Sequence, residues 1–239
     1  MGLAVRHLEA EVMDSASLDG AAHQRALRAL ARLNWVSRVV PSLAARIEAW
    51  HARALRRRAP VRVFDLACGG GDVALGLAAW AHRRRLELHV TGYDVSPRAV
   101  DYARARARRA GLAVTFREHD ALAGALPEPA DVGISTLFLH HLPRVEATAV
   151  LRRMGERADL VLVSDLDRTL AGFALAWAGS RLLTRSPVVH SDALASVRAA
   201  WTREELNALA EEAGLLGARI QRVWPERHVL EWQRPGDGS

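Results

Sequence analysis

The sequence contains no lysine: all 33 basic side chains among its 239 residues are arginine. A formal charge of +6 would by itself invite a nucleic-acid partner. An all-arginine set in an alanine-rich chain reads instead as codon bias. The clusters Arg56-Arg57-Arg58, Arg83-Arg84-Arg85 and 104–109 fall at helix ends or on exposed helical faces, where arginine complements the helix dipole. No nucleic-acid partner is expected. Cysteine is almost absent, and the single Cys68 excludes an intrachain disulfide or a cysteine-based metal cluster. No metal is expected. The stretch Met1-Gly2-Leu3-Ala4-Val5-Arg6-His7 is charged and has no apolar core segment, and Arg6 stands where a myristoylation signal requires Ser or Thr. A cytoplasmic location is expected. The strongly apolar run 170–183 is broken by Arg181 and is too short to span a bilayer. The composition, 50% hydrophobic and 25% charged, is that of a soluble globular protein. Its length suits one α/β domain with an appendage.

The organising stretch is Val61-Arg62-Val63-Phe64-Asp65-Leu66-Ala67-Cys68-Gly69-Gly70-Gly71-Asp72. A β-branched and aromatic run predicts a buried strand. Three glycines then break it, and an apolar run with helical spacing follows to Trp80. Strand, glycine turn and helix let backbone approach a nucleotide-like ligand, and the helix start offers free N–H groups. A second strand-like run, Leu88-His89-Val90-Thr91-Gly92-Tyr93-Asp94, ends in a carboxylate about 20 residues past the glycines, the interval for an acid that reaches a ribose hydroxyl. Ser96-Pro97 then reads as a helix N-cap followed by proline in the first turn. The spacing G-x-G-x-x-G of nicotinamide-dinucleotide proteins is missing.

Asp65-Leu66-Ala67-Cys68-Gly69-Gly70-Gly71 and Gly92-Tyr93-Asp94-Val95-Ser96-Pro97 resemble the first two motifs of the class I S-adenosylmethionine-dependent methyltransferases. Glu118-His119-Asp120-Ala121 and the run from Asp131 to Leu142 resemble the third and fourth. The resemblance is strong over residues 60–165 and departs from the family at Ala67, where a glycine is frequent. It implies S-adenosylmethionine as cofactor and a Rossmann-like, doubly wound, seven-stranded sheet with one antiparallel strand. It also implies that Asp65 shapes the loop and holds the methionine end, that Gly69 and Gly71 admit the cofactor beside Ala67 and Cys68, and that Asp94 accepts the ribose hydroxyls. Asp120 would receive the adenine amine with Ala121 beside it, and Val95 and Thr136 complete the implied set.

Along the chain, residues 1–58 precede the first core strand and read as helical, with Asp19 as a cap. They form either a cover on the substrate side or a helical pair packed on the sheet. The core then alternates strand and helix over 59–239: strands at 61–67, 88–94, 113–118, 131–137 and 160–165, with a helix ending at Gly111. The runs 217–223 and 227–233 are joined by so short a link around Pro225 that they must pair antiparallel. Residues 168–200 read as an inserted cap or as a segment docking on lipid, and Thr202 with Glu205 predicts a capping box.

An oxygen nucleophile such as a phenol benefits from a base, and histidine suits neutral pH. His140, His141 and His190 are the candidates, and Asp165 could orient one of them. The expected function is methylation of a small, phenolic or lipophilic acceptor at oxygen. The alternatives are C-methylation of a quinone or ring precursor, or a non-methylating relative that binds the cofactor. Homodimer formation stays open.

Overall fold

The computed structural model describes residues 3–9, 11–12, 19–53, 60–123, 126 and 128–235. Seven strands form one sheet in the order β3-β2-β1-β4-β5-β7-β6. They are β1 (Val61–Leu66), β2 (Leu88–Asp94), β3 (Val114–Glu118), β4 (Ala130–Thr136), β5 (Ala158–Leu166), β6 (Arg219–Val223) and β7 (Arg227–Gln233). All neighbours run parallel except β7, which is antiparallel to both β5 and β6. The expected doubly wound sheet with one reversed strand is therefore present.

The central strands carry continuous apolar runs because both faces are covered. In β5, Leu160 and Leu162 face one core with Val63, Val132 and Ile134. Val161 and Val163 face the other with Leu151, Met154 and Trp232. The first core is covered by α2 (Val39–Arg53), α3 (Asp72–Arg84) and α4 (Pro97–Ala110). The second is covered by α5 (Arg144–Arg157) and α8 (Arg203–Glu212). Helix ends follow their sequence signals. Ser96 Oγ accepts from Ala99 N–H at the start of α4, and Gly111 closes that helix with φ +63°. The predicted capping box of Thr202 and Glu205 opens α8.

Three helices lie over the carboxyl ends of the strands: α1 (Gly20–Val36), α6 (Leu170–Leu183) and α7 (Pro187–Ala199). Asp19 caps α1 by accepting from Ala22 N–H at 3.0 Å. The two N-terminal helices pack differently. Leu43 and Ile47 of α2 lie in the sheet's own core, whereas α1 packs against α6 and α7. The cluster Arg56-Arg57-Arg58 lies outside the described residues.

Residues 3–9 depart from the helical expectation. They form a non-helical strap, because backbone and side-chain partners from distant segments take the place of helical hydrogen bonds. The Arg6 guanidinium donates to the carbonyls of Ala199, His140 and Leu142 at 2.5, 2.7 and 2.9 Å and lies 3.6 Å from the Trp201 ring centre. His7 N–H donates to Arg198 O at 3.0 Å, and Arg168 Nε donates to Leu3 O at 3.0 Å. No helix among the described residues is long and apolar enough to cross a membrane.

Candidate active site

Two cavities meet above the sheet. The larger, about 750 Å³, opens over the carboxyl ends of β1, β2 and β4, the place where open parallel sheets bind ligands. Ala67 follows the end of β1, and its φ of +56° lies in the left-handed region. An alanine held there is strained by roughly 1 kcal/mol. Gly69 continues with φ +51°. Gly69 N–H donates to Asp94 Oδ2 at 2.7 Å, and Ser96 N–H donates to Asp94 Oδ1 at 2.9 Å. The acid at the end of β2 thus ties down the glycine loop while facing the cleft. Arg106 supports the loop from outside by donating to Gly70 O at 2.8 Å, which gives one of the arginines in 104–109 a structural task.

The cleft is acidic. Asp65 is buried on its floor, and its Oδ2 has no hydrogen-bond partner among the described residues. Burial, reinforced by Asp72 and Asp94, pushes its carboxyl well above the usual range. Burial also raises Asp72 and Asp94. Three crowded carboxyls beside free backbone suit a cationic ligand, which would relieve both their desolvation and their mutual repulsion. Burial likewise pushes the Cys68 thiol well up, so it stays protonated and acts as a small packed side chain.

The smaller cavity, about 170 Å³, is mostly apolar and lies between α1, α6, α7 and the start of β7. Its polar corner is a chain of side chains. His140 is buried in the 3₁₀ turn Leu139–His141 after β4. Its Nδ1 lies 2.6 Å from Asp165 Oδ1, and its backbone N–H donates to Asp165 Oδ2 at 3.1 Å. On the other side its Nε2 is 3.6 Å from Glu11 Oε1. Burial pulls the His140 pKa down, but the Asp165 charge and hydrogen bond, with Glu11 behind them, win and raise it to about 9. The same contacts outweigh burial in the carboxylates and hold Asp165 and Glu11 below their usual range. His140 is thus a buried imidazolium between two carboxylates. Its ring centre is 4.2 Å from that of His141, whose Nε2 is 3.9 Å from Glu11 Oε1.

The match to known proteins agrees with this geometry. A family described as "Methyltransferase domain" matches residues 63–158. A ubiquinone biosynthesis O-methyltransferase of Xylella fastidiosa (strain 9a5c) is 31% identical over 205 residues, which cover 80% of this chain and 73% of that protein. The chain belongs to the S-adenosylmethionine-dependent methyltransferases. Solved structures share the fold. One is magnesium protoporphyrin IX methyltransferase from Synechocystis PCC 6803 with bound SAH, at 21% identity and TM-score 0.59 over 92% of this chain and 90% of that one. Another is the mitomycin 7-O-methyltransferase MmcR, at 19% identity and TM-score 0.63 over 91% of this chain and 58% of that one.

Of the predicted cofactor residues in this methyltransferase, Ala67, Cys68, Gly69, Asp94, Val95, Asp120, Ala121 and Thr136 line the larger cavity. Asp65 lies beneath it. Gly71 does not line it, and a Cβ there would meet the Phe116 ring at 2.6 Å, so this glycine (φ +71°) is needed for packing against β3. Among the described residues, ligand atoms of Glu11, His140 and His141 lie within 4.8 Å of one another.

Among the three predicted bases, the structure brings His140 and His141 together and leaves His190 out. His190 lies in the first turn of α7, and its Nε2 contacts Thr184 O at 2.9 Å, outside both cavities. The helical turn that sends Val189 into the inner cavity turns His190 away from it. Glu11, Asn34 and Arg227 escaped sequence reasoning. They sit in the N-terminal segment before α1, on α1 and at the start of β7, and no motif spacing connects them to the glycine loop.

Proposed function

We propose that this protein methylates the oxygen of a small phenolic or lipophilic acceptor, with His141 as the general base. The observation that carries the reading is the junction of the cavities. Leu30, Leu137 and His141 line both, and His141 is the titratable side chain common to the two among the described residues. Leu137 at that junction has φ +55°, a strained conformation of the kind that collects at functional sites.

S-adenosylmethionine supplies an activated methyl group when bound, so the chain's own work is alignment, exclusion of water and handling of one proton. Asp94 and Asp120 would orient the nucleoside part, and Asp65 and Asp72 would face its positive charge. The acceptor would lie in the apolar pocket under α1, α6 and α7. We assign those three helices, from residues 1–58 and 168–200, the role of a cap on the methyltransferase domain. His141 would accept the phenol proton as the oxygen attacks, while Glu11 holds its ring. His140 is doubly held by carboxylates and acts as a positioning residue.

The test replaces His141 with Gln and measures turnover on a catechol panel by product mass. A fall of about 100-fold in kcat, with SAH affinity within twofold of the parent, is expected. Parental turnover in this variant would remove His141 as the base.

A further inference from the structure

The inner pocket carries a cation that the transfer chemistry above does not use. Arg227 is the first residue of β7 and lies opposite Leu166, the last residue of β5, and both line the pocket. The side chain is 4% exposed. Its Nη2 donates to Asn34 Oδ1 at 3.0 Å, and Asn34 Nδ2 donates in turn to Asp72 Oδ2 at 2.9 Å. The guanidinium is therefore held from the cofactor side. Its Nη1 has no hydrogen-bond partner among the described residues.

The acids around the same pocket are already engaged. Glu11 accepts from Ser196 Oγ and faces His140. Asp192 accepts from Val12 N–H at 3.0 Å. Glu226 accepts from Thr169 Oγ1 at 2.8 Å and from Arg222. A buried charged donor left unsatisfied is unfavourable, and a planar guanidinium edge matches a carboxylate. The pocket's volume, about 170 Å³, resembles that of an apolar cavity of about 150 Å³ that takes up benzene. It has room for one ring with small substituents.

We propose that Arg227 is an acceptor-recognition residue, and that the acceptor is a single-ring phenol bearing a carboxylate that pairs with its guanidinium. This rests on the methyltransferase reading and narrows its substrate class. The carboxylate would hold the far end of the ring at β7, so that the phenol oxygen is presented toward His141 and the junction with the cofactor cleft. A pre-positioned Arg selects strongly, since a neutral analogue leaves the same buried donor unpaired.

The test is calorimetric titration of the full chain, saturated with SAH, with 4-hydroxybenzoate and with its neutral near-isostere 4-hydroxybenzamide. The acid is expected to bind at least about tenfold more tightly. In Arg227→Met the preference should vanish, and Arg227→Lys should retain part of it. Equal affinity for acid and amide in the parent protein, no binding of either, or a preference that survives in Arg227→Met would each overturn the proposal. The parent comparison decides even if the Met variant does not fold. Failure of SAH itself to bind, seen in a separate titration, would strike the methyltransferase reading. The acid-against-amide comparison on the SAH-free protein would still decide the anion site.

Discussion

The cofactor cleft and the inner pocket lie side by side above one sheet, yet they are made of different material. The cleft wall is largely backbone and strand ends from β1, β2 and β4, with Asp94 locking Gly69 and Ser96 N–H groups. The pocket is walled by side chains from the N-terminal strap, α1, α6, α7 and β7, segments up to about 200 residues apart in sequence. A backbone-built site tolerates side-chain change except at its few acids, and is sensitive to any added Cβ. A side-chain-built site depends on buried pairs, each of which fails when one partner is lost.

The largest effect expected from this contrast is at His140. His140→Ala leaves Asp165 and Glu11 as buried carboxylates without the cation between them. Breaking a buried ion cluster in this way costs about 3–5 kcal/mol, to be read from denaturant midpoints. The same residue sets a pH dependence. Its pKa is raised from the usual 6.5 to about 9, so its contribution is complete below pH 6.5 and is lost as the pH rises through 9. Asp165 and Glu11, whose pKa values are lowered, lose theirs as the pH falls below the usual carboxylate range. Stability should therefore fall at both extremes, and the alkaline limb should disappear in His140→Ala. An alkaline limb that persists unchanged would detach it from this cluster.

Next comes Asp94→Ala, which strikes the cleft alone. Losing two charge-assisted contacts to a bound nucleoside should weaken SAH binding about 100-fold or more. Thermal stability should fall as well, by about 1–3 kcal/mol, because the Gly69 and Ser96 N–H groups lose their acceptor. Undiminished SAH affinity in a calorimetric titration would remove Asp94 from the site.

The smallest effect separates backbone from packing. Gly71→Ala forces a Cβ onto Phe116 at a φ of +71° and should cost about 1–3 kcal/mol. Gly111→Ala has a φ of +63° and nothing within 4 Å, so conformational strain alone should cost about 1 kcal/mol. Equal denaturation midpoints for the two variants would show that Phe116 gives way freely.

Much of the cleft was legible in the chain because its parts are local. A strand, a glycine turn and a carboxylate at the end of the next strand are separated by fixed numbers of residues, and period-two and helical patterns place each one. The capping box at Thr202 and the turn at Gly111 were readable for the same reason. The packing need at Gly71 was not legible, because it arises from Phe116, a residue on another strand. The place of His190 outside both cavities was not legible, because the direction of a side chain in α7 depends on where that helix docks.

The sequence by itself determined the sheet, its reversed strand and the glycine-lined cleft at the strand ends, since these follow from short-range propensity and spacing repeated along the chain. Only the tertiary structure decided which histidine stands at the junction, that Glu11 arrives there from the segment before α1, and that Arg227 lines the inner pocket. Those positions depend on long-range hydrogen bonds such as Arg6 to the carbonyls of His140 and Ala199 and Arg227 to Asn34. Such bonds leave no period or spacing in the sequence, because they join segments that meet only when the sheet has brought its strand ends together.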